Sequence, residues 1–399
     1  MEITNVNAYP LSTPRPDVGK DKPDHYLPNW EKLSEAGVRS NYSSCLVEIE
    51  TDSDLAGYGE SIVREVPEAH VKIIENLFQG ILLGEDPTDV KELWDAMFSS
   101  LRTRGHYGGY FVEALSGVDL ALWDLIGKIE GVPVYELLGG QRRDKIKAYA
   151  SSLYWHYLEE STPESAAEEA KELVKSGHDQ IKIKLGMSKM GGGENADTIL
   201  VRAVRKEVGA DVELMVDANS AYELDEAKRI GEQLGQEGVL WFEEPLPPHD
   251  LDGYGELADD LKMWVAGGES LFTRYDFEGF IKKGGFDVVQ PDIARCGGLT
   301  EFLRIVDLCR ERGLKIAPHV GLSGPGARAA ALNASTALED DLFLTYEYMY
   351  KKDNPLATDL VSREIEEFSN GHMKLPQDPG LGLEPKWDAI EKYDVRKGN

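Results

Sequence analysis

The sequence predicts an α/β protein, a (β/α)-barrel preceded by a smaller α+β region. Two observations carry this expectation. From about residue 145, strand-like apolar runs alternate with helix-like runs, and eight such strands can be counted. Alternation at this rhythm argues for βαβ units in a parallel sheet, and eight units argue for closure into a barrel. No phosphate-binding glycine fingerprint follows any of these strands, which weighs against the rival, an open doubly wound sheet. A chain of 399 residues, 41% of them hydrophobic, suggests two units and a sizeable core.

Taken in order, residues 3–12 and 44–51 alternate apolar with polar and read as strands, with TDSD (51–54) as a turn before LAGYGES. Between them, 13–42 is a long polar stretch bearing prolines, Lys20, Asp21, Lys22, His25, Tyr26 and Trp30; such a loop is functional or disordered. Residues 66–97 and 110–130 read as helices. The barrel strands are KIKAYASS (145–152), QIKIKLG (180–186), DVELMVDAN (211–219), VLWFEEP (239–245), MWVAGGES (263–270), FDVVQPD (286–292), LKIAPHV (314–320) and LFLTYEYM (342–349). Helical runs such as SAAEEAKELVKSG (165–177) and GLTEFLRIVDLCRERG (298–313) lie between them.

Composition narrows the function. A net charge of −29 excludes nucleic acid as a partner, because phosphates need a basic surface. No run approaches the roughly 18 apolar residues that cross a bilayer, and the start MEITNVNAYPLS lacks the basic and apolar regions of a secretion signal. A cytoplasmic protein without membrane partners is expected. Cys45, Cys296 and Cys309 are scattered with no CxxC spacing, so neither a disulfide framework nor a zinc site is implied.

In such barrels the C-terminal strand ends carry the chemistry. The tips here bear Lys182 and Lys184, Asp217 and Asn219, Glu243 and Glu244, Glu269, Asp292, His319, and Glu347. Asp217, Glu243 and Glu269 recur every 26 residues, one β/α unit per step, so three carboxylates should converge from consecutive strands. Oxygen-only ligands of that number suit a hard cation such as Mg²⁺. Neighbours on a strand face opposite ways, so one of Glu243 and Glu244 points at the cation; the rhythm favours Glu243, leaving Glu244 a supporting contact. Lys182 and Lys184 share a face, the barrel interior, where a like charge and a cation should lower a lysine pKa toward that of a general base. His319 is a second acid or base, and Asp292 can hold its imidazole in one tautomer.

These residues, in this order, resemble the mandelate racemase branch of the enolase superfamily. The likeness extends from CLVEIETDSDLAGYGES through GVDLALWDLIGK (117–128) and YELLGG (135–140) to the barrel tips and LPQDPGLGLE (375–384). It implies a modified TIM barrel over 131–370, an α+β capping domain over 1–130, and a C-terminal segment, 371–399, that returns to complete the cap. It further implies one Mg²⁺ per subunit on Asp217, Glu243 and Glu269, with Asn219 beside the metal or substrate. Lys184 resembles the base on one substrate face, Lys182 a contact to the substrate carboxylate, His319 with Asp292 the dyad opposite, and Glu347 a protonated acid at the substrate carboxylate. A homo-oligomer acting on a small molecule is implied too.

The shared chemistry of that superfamily is removal of the proton next to a carboxylate. The sequence VVQPD lacks the sixth-strand lysine of the muconate-lactonizing branch, Asn219 stands where galactonate and mannonate dehydratase types carry histidine, and Glu269 where glucarate dehydratases carry asparagine. Bases on both faces permit racemisation of a 2-hydroxy acid or β-elimination from a sugar acid, aldonate or aldarate. Charged loops decide between them here: His25 with its lysine neighbours, Arg104 and His106 in RTRGHYGGY (102–110), and Trp155 and His156 after the first barrel strand suggest a polar pocket for a polyhydroxylated acid. A dehydratase is therefore expected, with a racemase or epimerase as the alternative and a non-catalytic sugar-acid or metal-binding barrel as a distant third. The glycine-rich LGMSKMGGGENAD (185–197) is either a second mobile segment or an ordinary insertion.

Overall fold

The computed structural model describes residues 1–15, 41–153, 162–186, 193, 195–350 and 354–397. Strands β1 (Ile3–Pro14), β2 (Asn41–Thr51) and β3 (Ala56–Val63) form an antiparallel sheet in the order β1-β2-β3. The sheet lies directly on the helix Tyr110–Glu130. A Cβ at Gly57 would come 2.1 Å from the Ala121 carbonyl oxygen, and one at Gly59 would come 2.2 Å from that of Gly117, so the glycines of the GYG run are required for that approach. The helix is apolar on most sides and is buried without a break from Phe111 to Leu125. It ends at Gly131 in the left-handed conformation, φ 70°.

The single helix expected over 66–97 is instead interrupted. It runs as Pro67–Ile73, a π-turn at Ile74–Phe78 and Gln79–Leu82, and then restarts as Val90–Arg102. Gly84, at φ 83°, and Pro87 occupy the break; proline has no amide to continue the ladder and glycine takes the reversal freely.

The second sheet holds β4 (Ile146–Ser152), β5 (Gln180–Lys184), β6 (Glu213–Asp217), β7 (Val239–Glu243), β8 (Trp264–Gly267), β9 (Val288–Val289) and β10 (Lys315–Ile316), each parallel to the next, and β11 (Tyr346–Tyr348) parallel to β4. This is the strand order of a (β/α)-barrel. No continuous ladder joins β10 to β11; one bridge, Ile316 with Phe343, spans the gap through hydrogen bonds of 2.8 and 2.9 Å. Strands β9 and β10 are shorter than the runs expected at 286–292 and 314–320, because Pro291 and Pro318 cannot donate to a ladder. A short hairpin of β12 (Phe368–Ser369) and β13 (His372–Met373) adds antiparallel to β4.

Inside the ring, Tyr149, Met215, Trp241, Ala266, Val288 and Ala317 form one buried cluster, the floor beneath the strand tips. The chain then returns to the first sheet: helix Trp387–Tyr393 packs on β1, Leu11 bridges to Asp394, and Leu11, Tyr42, Leu46, Leu356, Leu360, Ile390 and Tyr393 share a small core. Among the described residues no helix is long and apolar enough to cross a membrane.

Hydrogen bonds of the helix Tyr110–Glu130 and of β3 stitch the N-terminal part to the barrel. The amides of Gly297 and Thr300, at the start of the helix Gly298–Arg312, donate to Ser116 Oγ (2.9 Å) and Asp119 Oδ2 (3.0 Å). Trp123 Nε1 donates to Thr300 Oγ1 at 3.0 Å. On β3 the buried Glu60 accepts from Ser44 Oγ (2.6 Å) and from the amides of Gly324 (2.8 Å) and Ala327 (3.1 Å), capping the helix Pro325–Ala337.

Candidate active site

Asp217 and Glu243 end β6 and β7 as direct register partners, and Lys184, the last residue of β5, is opposite Asp217. One interior row across three strands thus reads amine, carboxylate, carboxylate. Glu269 lies two residues beyond β8, after Gly268 at φ 129°. A Cβ at Gly268 would sit 2.8 Å from the Phe277 ring and 3.2 Å from the Gln290 amide, so only glycine lets the chain turn Glu269 inward. One oxygen each from Asp217, Glu243 and Glu269 lie within 4.8 Å of one another. Glu244 leaves the strand conformation at φ 38°, so alternation does not aim it. Burial, with the charges of Glu269 and Asp217, pushes its carboxyl up to about 8, and Ser270 hydrogen-bonds to it.

The two lysines occupy different depths. Lys184 Nζ contacts Asp217 Oδ2. Lys182 lies one pleat deeper, with Nζ 2.6 Å from Glu243 Oε1, 2.9 Å from Glu347 Oε1 and 3.2 Å from the Tyr149 hydroxyl. Lys182, expected to be lowered beside a like charge and a cation, is surrounded here by carboxylates. Burial does push it down, but Glu243 and Glu347 outweigh that and hold it well above the ordinary amine range. Burial in turn pushes the Glu243 carboxyl up to about 7 against the pull of Lys182.

On the far side of the carboxylates, His319 and Asp292 form a parallel bridge. The imidazole Nδ1 is 2.7 Å from Asp292 Oδ2, and Nε2 is 3.1 Å from Glu269 Oε2. Burial works against protonation of His319; Glu269, Glu347 and Asp292 together overcome it and raise the imidazole well above its ordinary value. Glu347 differs from the sequence expectation of a protonated acid. Burial raises it, but Lys182, His319 and Lys184 win, and its carboxyl is lowered. The amides of Val320 and Gly321 also donate to Glu347 Oε2 at 2.9 and 3.1 Å, which favours the ionised form.

Asn219, at φ 43°, donates from its amide to Asp217 Oδ1 (2.8 Å) and from its side chain to Oδ2 (3.3 Å), and so orients that carboxylate. Arg104 and His106 stand on the exposed turn between the helices Val90–Arg102 and Tyr110–Glu130. His25, Trp155 and His156 lie outside the described residues. Two supporting residues escaped the sequence reading: Trp241 Nε1 and Gln290 Nε2 both donate to Glu243 Oε2, at 3.1 and 2.7 Å. A signal for them existed, since each stands two residues before a tip carboxylate and therefore on the same strand face.

The three carboxylates offer only hard oxygens, with two firmly oriented by neighbouring donors, a set that fits a divalent cation. Lys184 reaches the group from the β5 flank and His319 from the opposite flank, beyond β9. Residues 165–389 match the family model for an enolase C-terminal domain-like unit, and residues 29–139 match that for the mandelate racemase / muconate lactonizing enzyme N-terminal domain. An arabinonate dehydratase of Saccharolobus solfataricus is 35% identical over 354 residues, 88% of this chain and 90% of that protein. A D-galactarolactone cycloisomerase of Agrobacterium fabrum is likewise 35% identical over 354 residues, covering 87% of this chain and 90% of its own length. The crystal structure of an enolase superfamily member from Polaromonas superposes with a TM-score of 0.86 at 31% identity, over 98% of this chain and 97% of that one. With both domain models matched and its strand-tip carboxylates gathered at one end of the barrel, the chain belongs to the enolase superfamily, in the mandelate racemase and muconate lactonizing enzyme group.

Proposed function

We propose that the protein is a Mg²⁺-dependent dehydratase of a sugar acid, an aldonate or aldarate, yielding a 2-keto-3-deoxy acid. The observation that carries this is the placement of Lys184 and His319 at opposite ends of the acidic triad, one touching Asp217 and the other 3.1 Å from Glu269. Asp217, Glu243 and Glu269 would hold the cation, which when bound supplies positive charge beside the substrate carboxylate and makes the neighbouring proton more acidic. Lys184 Nζ takes that proton from C2. Lys182, held as an ammonium between Glu243 and Glu347, adds fixed positive charge beneath the carboxylate as negative charge develops there. His319, aligned through Nδ1 by Asp292, gives a proton from Nε2 to the 3-hydroxyl, which leaves as water. The enol that remains tautomerises to the 2-keto acid.

The name of the Saccharolobus relative supports this reading. A second reading has its own support in the Agrobacterium relative: the same proton abstraction from a lactone, with a ring oxygen in place of a hydroxyl as the leaving group. Incubating the protein with Mg²⁺ and a panel of aldonates, aldarates and their lactones, with semicarbazide detection of 2-keto product and NMR of the α-proton in D₂O, tests the proposal. A dehydratase yields a 2-keto-3-deoxy acid and water from an open-chain acid. Product from lactones alone favours the second reading, exchange with inversion but no keto product marks a racemase, and neither product nor exchange overturns the assignment of an enzyme of this type.

A further inference from the structure

We infer that Arg295 is a positioning residue for the triad carboxylate Glu269, anchored to the N-terminal part of the chain through Glu113; this rests on the reading that the triad holds a divalent cation. The need for such an anchor is visible in the backbone. Asp217 and Glu243 terminate strands and are fixed by ladder pairing on both sides, whereas Glu269 lies beyond the end of β8, after a glycine at φ 129°. Its carbonyl oxygen accepts from Arg295 Nη1 at 3.3 Å. The same guanidinium stands over the ring of Phe272, 5.1 Å from the centroid, in the segment that follows Glu269.

Arg295 is itself held from the other domain. Its Nε lies 3.1 Å from Glu113 Oε1, in the first turn of the buried helix Tyr110–Glu130. The other oxygen of Glu113 is 3.2 Å from Nε2 of His70, which is fully buried on the helix Pro67–Ile73. A chain of three side chains from three elements therefore ends on the main chain of Glu269. The planar guanidinium suits this task, because its Nε lies in ion-pair range of the Glu113 carboxylate while Nη1 hydrogen-bonds to the carbonyl. A lysine, whose donors sit at a single point on a flexible stem, lacks the spread of the planar guanidinium that spans the two.

The experiment measures Mg²⁺ binding to the whole metal-free protein by titration calorimetry, with no substrate present. Arg295→Ala should weaken binding about tenfold or more, in line with the loss of an outer-shell partner of a metal ligand. Arg295→Lys keeps the ion pair with Glu113 and hence the fold, and should show the same weakening while melting, without metal, within about 2 °C of wild type. Arg274→Gln, which breaks a neighbouring pair with Glu301 that does not touch Glu269, should leave the affinity within about twofold. Wild-type-like Mg²⁺ affinity in Arg295→Lys overturns the inference. Absence of Mg²⁺ binding by the wild-type protein overturns the cation reading itself, and that failure is seen before any variant is measured.

Discussion

Glu60 offers the sharpest test of how the first sheet supports the catalytic end of the barrel. It is buried on β3 and satisfies three donors, two of them the amides of Gly324 and Ala327 at the start of the helix Pro325–Ala337. Replacing it by alanine orphans all three, and each buried unpaired donor costs about 1–3 kcal/mol. Part of this is offset because a carboxylate no longer has to be buried: burial raises the Glu60 carboxyl above its ordinary value. A net loss of about 2–4 kcal/mol remains, which lowers the melting temperature by about 2–5 °C for a chain of this size. Glu60→Gln retains an acceptor oxygen and should lose about a third as much. The loss should also reach the site, since the segment leading into this helix supplies the Val320 and Gly321 amides that hold Glu347. Calorimetry at neutral pH, with amide exchange at Gly324 and Ala327, measures both effects. A Glu60→Ala protein that melts within about 1 °C of wild type, with those amides exchanging as slowly as before, refutes the reasoning.

Three further outcomes follow from the same geometry. Lys184→Ala and His319→Asn should each lower turnover on the substrate found by screening by about 10²–10⁴-fold with the circular dichroism unchanged; turnover within about tenfold of wild type in either would remove that residue from the proposed proton transfers. Mg²⁺ at about a hundred times its Kd should stabilise the protein by about 2.7 kcal/mol, and EDTA or Glu269→Gln should abolish the increment in thermal melts; an undiminished increment in the variant would place the cation elsewhere. Burial pushes the Asp119 carboxyl up from 3.8 to about 7, so the native state holds that proton more tightly than the unfolded chain. The associated stability is complete below 3.8, falls as pH rises, and is gone above about 7. Between pH 5.5 and 7 the slope amounts to about 2 kcal/mol, and urea melts across that window should be correspondingly flatter in Asp119→Asn than in wild type; parallel slopes would contradict it.

What could be read from the sequence is what repeats. A spacing of 26 residues between Asp217, Glu243 and Glu269 measures one β/α unit, and the strand period of two puts Lys182 and Lys184 on one face. The structure brings all three carboxylates together, and the same alternation points to Trp241 and Gln290. Local exceptions were harder to see. Apolar periodicity continues through 66–97, yet Gly84 and Pro87 end the helix between them. The strands ending at Asp292 and His319 stop early because each run contains a proline. The electrostatic surroundings were not legible either: the amides of residues 320 and 321 and Lys182, which favour the ionised form of Glu347, reach it only in the folded chain. Arg295 carries no motif at all, because its partner Glu113 meets it only after the two domains pack.

The helix Tyr110–Glu130 has a consequence for how such proteins can change. Ser116, Asp119 and Trp123 complete the start of a barrel helix, while Asp124, farther along, receives the amides of Tyr58 and Leu381 at 2.8 and 2.7 Å. A gene fusion that joined the first 105 residues of one relative to the remainder of another would keep the contacts of Ser116, Asp119 and Trp123 with the barrel helix, and that of Asp124 with Leu381, within one parent, leaving only the main-chain donor of Tyr58 to the other; a crossover near residue 120 would split the barrel contacts between mismatched parents. Exchange of substrate preference among these enzymes should therefore succeed at junctions that leave this helix with the barrel, and fail at those that cut through it.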